Sequence, residues 1–220
     1  MISRILRSSQ NKEEVEEFYQ QGIEYYHTKF NSLHSSSEHK HKHNEIFVGH
    51  VQHLDKKSLN LLYLDGTTLS TTRTCYNKLS NINNIWIPEY NKEHYNKMFT
   101  QVLKFPKVHL EYTSLLDMLP QVSKIDAVYL DYCGYIDTTS SFNPVKELKL
   151  LMDKINLPAI ICCTFNISPR CKNTHITDPS TIESMMEEIV KPKCNSFFRY
   201  RSRIYKNSKS KMIFLAFELK

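Results

Sequence analysis

Ile125-Asp126-Ala127-Val128-Tyr129-Leu130-Asp131-Tyr132-Cys133-Gly134 decides how the rest of the chain is read. Ala127, Val128 and Leu130 belong to an apolar run too short for a helix, as expected of a strand covered on both faces. The run stops abruptly at an acid, an aromatic, a thiol and a glycine, and Gly134 lets the backbone turn without a Cβ clash. In an open parallel α/β sheet, ligands collect at the carboxyl ends of the strands. Asp131 is therefore a site candidate by position alone, set against the plainer reading that it caps the next element.

Working outward, the same pattern repeats. Upstream, Leu61-Leu62-Tyr63-Leu64 is a buried-strand run that ends in Asp65-Gly66, and Thr67-Thr68-Leu69-Ser70-Thr71-Thr72 leads into a helix through Cys75, Tyr76 and Leu79. Ile85-Trp86-Ile87-Pro88-Glu89 is a second strand ending in an acid, followed by a helix from Lys92 with Tyr95, Met98, Phe99 and Val102 at helix spacing. Val108-His109-Leu110 is a third strand, with Tyr112-Thr113-Ser114 and a short helix over 115–119 behind it. Downstream of the opening stretch come a helix over 144–155, a very apolar strand over 159–165 and a polar loop over 166–177 with Arg170 and Lys172. A helix over 179–190 follows, with Asp178 as its cap. Segments 197–204 and 212–219, joined by a turn at 207–209, read as an antiparallel hairpin.

Five strand-helix units closed by a hairpin imply right-handed crossovers. The expected fold is α/β: a doubly wound, mostly parallel seven-stranded sheet with helices on both faces and a C-terminal antiparallel β-hairpin. It is expected over 58–220, with 1–57 as an N-terminal appendage. Within that appendage, 11–33 reads as a helix led by glutamates, and 34–45 as a mobile polar loop containing His39-Lys40-His41-Lys42-His43. The alternating imidazoles are potential metal donors, yet the lysines between them repel cations, so no metal site is assigned. Residues 46–50 read as a short strand or a turn into the main domain.

Composition narrows the class. Hydrophobic residues make up 40% of the 220, enough for a packed core, and the net charge of +6 suits a polyanionic partner such as nucleic acid. The six cysteines include no C-x-x-C pair, and several sit in apolar runs where a thiol packs as a small hydrophobe. The N-terminal residues are too short and too charged a run for a signal peptide, and no stretch nears the ~20 apolar residues of a spanning helix. The expectation is a reducing, intracellular compartment, cytoplasm or nucleus, or a host cell if the source is viral, since Asn, Lys, Ser and Ile are abundant as in AT-rich genomes.

Over roughly 58–220 the order and spacing of these elements resemble the class I S-adenosylmethionine-dependent methyltransferases. The resemblance implies that Asp65, Gly66 and Thr67 hold the methionine part of the cofactor and that Glu89 takes the ribose hydroxyls. Ser114, or less well Asp117, would contact adenine, and Asp131-Tyr132-Cys133-Gly134 would face the substrate. The chemistry suits the residue types: a carboxylate accepts two hydroxyl donors well, and Asp65 can face the cofactor's ammonium. The first loop departs from the family in having Gly66 alone where two or three glycines are usual.

Within the family, Asp131 to Gly134 replaces the Asp-Pro-Pro-Tyr motif of enzymes that methylate exocyclic amines. Asp131 can supply the acceptor, and Tyr132 or Tyr135 a stacking face for a base. The Asp and Gly positions also match the Asp-x-x-Gly pattern of tRNA guanine-N2 methyltransferases. Cytosine-C5 methyltransferases place a nucleophilic Cys near this strand end after Pro; here Tyr132 precedes Cys133 and no base adjoins it, so a packing thiol is the default. Arg199, Arg201 and Arg203 alternate with Phe198 and Tyr200 along one strand, where they would hold phosphates or form a solvated face. The leading expectation is a methyltransferase acting on an RNA or DNA base. The alternative is a catalytically inactive module of the same fold that binds nucleic acid or a protein partner. A nucleotide-binding protein of another kind trails, since neither a Walker loop nor G-x-G-x-x-G occurs.

Overall fold

The computed structural model describes residues 36–132, 134–137, 144–168, 175–207 and 210–220. The helix expected over 11–33, Cys133, Arg170 and Lys172 lie outside the described residues.

The apolar runs become β1 (Leu59–Tyr63), β2 (Ile82–Pro88), β3 (Val108–Glu111), β4 (Ile125–Asp131) and β6 (Ile155–Asn166), and these strands pair in parallel. β8 (Phe197–Arg199) and β9 (Arg203–Asn207) both pair antiparallel with β10 (Ser210–Leu219), which itself lies antiparallel to β6. The order across the sheet is β3-β2-β1-β4-β6-β10-β8, with β9 also on β10. A separate ribbon joins β5 (Ile136–Asp137) to β7 (His175–Ile176).

Side-chain alternation explains why helices lie on both faces. Leu62, Val128, Leu130, Ile161 and Cys163 enter one core cluster with Leu148 and Ile182, from α5 (Pro144–Met152) and α6 (Pro179–Val190). Their neighbours Leu61, Tyr63, Ala127, Tyr129 and Cys162 enter the other. That second face is covered by α1 (Ser36–Val51), α2 (Ser70–Lys78) and α3 (Lys92–Val102), through Phe47, Cys75 and Met98. The fourth helix, α4 (Leu115–Met118), is a single turn after β3.

Three expectations are corrected. Residues 36–45 are helix rather than loop, and 46–50 continue that helix rather than forming a strand or turn. The reason is a face at helical spacing: His43, Phe47, His50 and Val51 are all buried. His43 stacks on Phe214 at 4.4 Å and meets Tyr205 edge-on at 4.6 Å, while His50 packs on Tyr200 at 4.0 Å. The mostly parallel sheet with helices on both faces and a C-terminal antiparallel hairpin is as expected, but among the described residues it counts eight strands rather than seven, because the penultimate strand breaks between β8 and β9. At the break Arg199 pairs with Glu183 and Glu187 of α6, whereas the Tyr200 hydroxyl donates to Glu218 on β10 at 3.0 Å. The strand after α5 also begins earlier than expected, at Ile155.

The amino-terminal ends of β1, β4 and β6 share one acid. Asp126, almost wholly buried, accepts from Lys56 Nζ at 2.6 Å, from the Asn60 backbone N–H at 2.7 Å and from Asn156 Nδ2 at 2.7 Å. Removing one partner of a buried ion pair strands the other charge. Asp126→Ala is expected to destabilise the protein by about 3–5 kcal/mol in urea unfolding; a loss under about 1 kcal/mol would show that the three strands do not depend on it.

The packed histidines give stability a pH dependence. Burial, then Arg203, His39 and Lys42, hold His43 well below the usual imidazole range. Burial first, with His53 adding to it, pushes His50 down to about 3. Both are neutral when folded but take up a proton near pH ~6.5 when unfolded, so stability falls as pH drops below that value. Each contributes up to about 1.4 kcal/mol per pH unit. The double variant His43→Phe/His50→Phe is expected to flatten the stability profile between neutral and mildly acidic pH; an unchanged profile would show that neither titrates on unfolding.

Candidate active site

The parallel strands deliver their carboxyl ends to one edge, and Asp65, Gly66, Glu89, Ser114 and Asp131 follow or close those ends. After β1, Leu64 N–H still donates to Tyr129 O at 3.1 Å, and the chain then turns over 66–69, closed by Leu69 N–H to Gly66 O at 2.8 Å. The left-handed residue of this turn is Leu69, with φ of 51°, and not Gly66. The fully buried Leu69 side chain holds that conformation against its steric cost. A Cβ at Gly66 would meet only Lys40 Nζ, at 3.9 Å, so the backbone here does not demand glycine.

Asp65 points into the fold. Its carboxylate accepts from the N–H groups of Gly66 at 2.9 Å, Thr71 at 3.2 Å and Thr72 at 2.9 Å, and from the Thr72 hydroxyl at 2.8 Å. It thus serves the first turn of α2, whose own cap position, Leu69, has no side-chain acceptor. Burial raises its pKa, and the bonds from Thr72, Gly66 and Thr71 pull it the other way. All four of these donors belong to the loop after β1 and the first turn of α2.

Glu89 follows β2, its side chain mostly covered; Oε1 accepts from Asn91 N–H at 2.7 Å, and Oε2 lies 3.7 Å from His94 Nδ1 on α3. Ser114 follows β3 and caps α4, accepting from Asp117 N–H at 3.2 Å and donating to the Asp117 carboxylate at 2.6 Å. Thr67 offers its carbonyl to Gln101 Nε2 at 2.8 Å.

Asp131 closes β4. Thr164, its parallel neighbour on β6, donates to Oδ1 at 2.5 Å, and Lys40 Nζ on α1 lies 2.9 Å from Oδ2. Next in sequence, Tyr132 turns inward: it is buried, its ring stacks on Phe165 at 5.6 Å, and its hydroxyl donates to Glu147 at 2.6 Å. That ring belongs to the core cluster. Gly134 O accepts from Asn166 N–H at 2.9 Å, and Tyr135 stacks on His175 at 4.5 Å across the β5–β7 ribbon. The three arginines do not line one strand face. Arg199 is neutralised by α6, Arg201 lies in the strand break, and Arg203 lies near Lys42, His43 and His50 of α1, lowering their pKa values.

Lys40 and Thr164 are the site residues that the sequence did not single out. The signal for Lys40 was the spacing His39, His43, Phe47 and His50, which makes 36–51 a helix and sets Lys40 beside its packed face. Among the described residues no group of three or more His, Cys, Asp or Glu is placed to hold a metal ion, and no helix is long and apolar enough to cross a membrane.

No protein-family model matches the chain, and no curated protein matches it in sequence. Solved structures do match in shape. The N-methyltransferase NodS from Bradyrhizobium japonicum aligns with a TM-score of 0.60 at 6% identity, over 84% of this chain and 96% of its own. An S-adenosylmethionine-dependent methyltransferase from Clostridium acetobutylicum gives 0.58 at 11%, over 91% and 98%. An rRNA methylase from Streptococcus thermophilus gives 0.56 at 10%, over 81% and 96%. With the sheet order and terminal hairpin above, these likenesses establish the fold of this chain as that of the class I S-adenosylmethionine-dependent methyltransferases.

Proposed function

We propose that the chain is an S-adenosylmethionine-dependent methyltransferase acting on an RNA or DNA base. The observation that carries this reading is the convergence of Glu89, Ser114 and Asp131 on the carboxyl edge of a class I sheet. The donor and acceptor set suits the cofactor. Glu89 keeps carboxylate lone pairs for the ribose hydroxyls, Ser114 meets the adenine, and Gly66 and Thr67 border the methionine end. Bound there, the cofactor supplies an electrophilic methyl group on its sulfonium. Asp131, held by Thr164, accepts a hydrogen bond from the amine of the target and orients it. Tyr135, on its His175 stack, supplies a flat face for the base. A nucleic-acid target accords with the net charge of +6 and with the rRNA methylase among the structures of similar shape.

A second reading is favoured by one specific observation. Asp65 spends its carboxylate on α2, and Lys40 stands beside Gly66, so the first loop departs from a cofactor-binding one. A module that keeps the fold without the cofactor, and binds nucleic acid or a protein, would have these features.

Calorimetric titration with S-adenosylhomocysteine separates the two. The methyltransferase reading expects micromolar binding, weakened about tenfold or more in Glu89→Ala by the loss of charge-assisted hydrogen bonds. No heat up to millimolar ligand, from protein with intact circular dichroism, would sink it and leave the binding module.

A further inference from the structure

We propose that the rings of Tyr95, Phe99 and Tyr112, at the β3 margin of the sheet, form a stacking platform for unpaired bases of a single-stranded nucleic acid. This deepens the reading above and rests on its nucleic-acid target alone, not on its cofactor. Among the described residues β3 pairs only with β2, so it ends the sheet. α3 covers the same margin and sends Met98 and Val102 into the core. Tyr95 and Phe99, four residues apart on this helix, lie 5.7 Å apart between ring centroids. Tyr112, the first residue after β3, meets Tyr95 at 5.6 Å.

Three rings from two elements are thus in contact, and the outer two face water: Phe99 is 47% exposed and Tyr112 55%. Leu103, at the end of α3, is exposed as well. Single exposed apolar residues are ordinary on a protein surface, but a contiguous group marks a contact surface.

The chemistry of the group selects its partner. The rings are inclined at 38° and 50° to one another, which leaves separate aromatic faces rather than one flat apolar plate. Bases stack on such faces whatever their sequence. Lys92, seven residues before Phe99 and so on the same side of α3, is exposed, as is Lys104 beyond its end. The acid of this helix, Glu93, is held by Lys97 at 2.6 Å. Exposed ammonium groups beside open rings suit a phosphodiester chain. A second copy of the protein suits them less, since β3 offers only four residues for a shared ladder and each copy would bring the same lysines.

Position supports the same partner. Tyr112 stands two residues before Ser114 at the carboxyl edge. β3 is three strand positions from β4, about 14 Å across the sheet, which is the rise of roughly four stacked nucleotides. A strand with one base at Asp131 therefore reaches these rings with its neighbours.

The test compares two fluorescein-labelled probes by anisotropy at fixed salt: an oligouridine RNA about twelve nucleotides long, and an abasic ribose-phosphate chain of the same length and charge. The platform expects the full chain to bind oligouridine about tenfold or more tightly than the abasic probe. Phe99→Ala/Tyr112→Ala, its fold checked by circular dichroism, is expected to weaken oligouridine about tenfold or more and to leave the abasic probe within about twofold. Tyr112→Phe keeps the ring and is expected to keep the affinity. Equal weakening of both probes by the double variant would overturn the platform, since the rings would then act only through the fold. Unchanged oligouridine binding in that variant, or no preference for oligouridine in the parent, would overturn it too. So would a parent that binds neither probe; a sedimenting dimer that the double variant dissociates would then assign the surface to a second copy. S-adenosylhomocysteine titrated into the same proteins separates this from the cofactor reading. Binding of that ligand without ring-dependent RNA affinity sinks the platform and leaves the cofactor reading, and ring-dependent RNA affinity without that binding does the reverse.

Discussion

Burial of both faces of β4 is the constraint on which the rest of the structure depends. Val128 and Leu130 face one core while Ala127 and Tyr129 face the other, so neither side of the strand tolerates water. A central strand of this kind requires helices above and below it, and α5 and α6 supply one layer. The other layer needs α1 as well as α2 and α3, because Phe47 of α1 packs against Tyr129 at 5.6 Å and against Tyr63 at 6.4 Å. A segment with a histidine-lysine tract is thereby held over the sheet, its imidazoles kept neutral by burial.

The acids at the two ends of the strands divide by what surrounds them. Asp126 sits at the amino-terminal end, where an ammonium, a backbone N–H and an amide neutralise it and join three strands. Asp65 lies at the carboxyl end but meets the unpaired N–H groups of a helix that has no cap of its own, so it is drawn into structure. Asp131 is held from β6 and α1, and Glu89 from its own loop and α3, and both stay at the edge. The same residue type at similar positions in the pattern thus does different work, according to which donors the fold brings near.

Much of this was legible in sequence. Short apolar runs separated by helix-period segments require a doubly wound sheet, because a run of four to seven apolar residues can be buried only as a strand covered twice. The acids after the first, second and fourth strands could likewise be placed on the ligand-binding edge, since position in a parallel sheet fixes which end each one occupies. The α1 segment was misread because its polar residues mask its face: His39, His43 and His50 count as polar in sequence, yet they pack as rings on Tyr205, Phe214 and Tyr200. The arginine alternation failed for a different reason. Glu183 and Glu187, over ten residues away, draw Arg199 toward α6 at a point where the strand breaks.

The sequence by itself determined the order of strands and helices, the two-faced core and the edge on which a site must lie, all of which follow from the periodicity of apolar side chains along the chain. Only the tertiary structure decided which polar groups meet. Lys40 and Asp131 are separated by the whole first half of the sheet in sequence, and Thr164 reaches Asp131 only because β4 and β6 run side by side in register. Apolar pattern is a local property of the chain, whereas a hydrogen bond or ion pair depends on the distance between groups that only folding brings within reach.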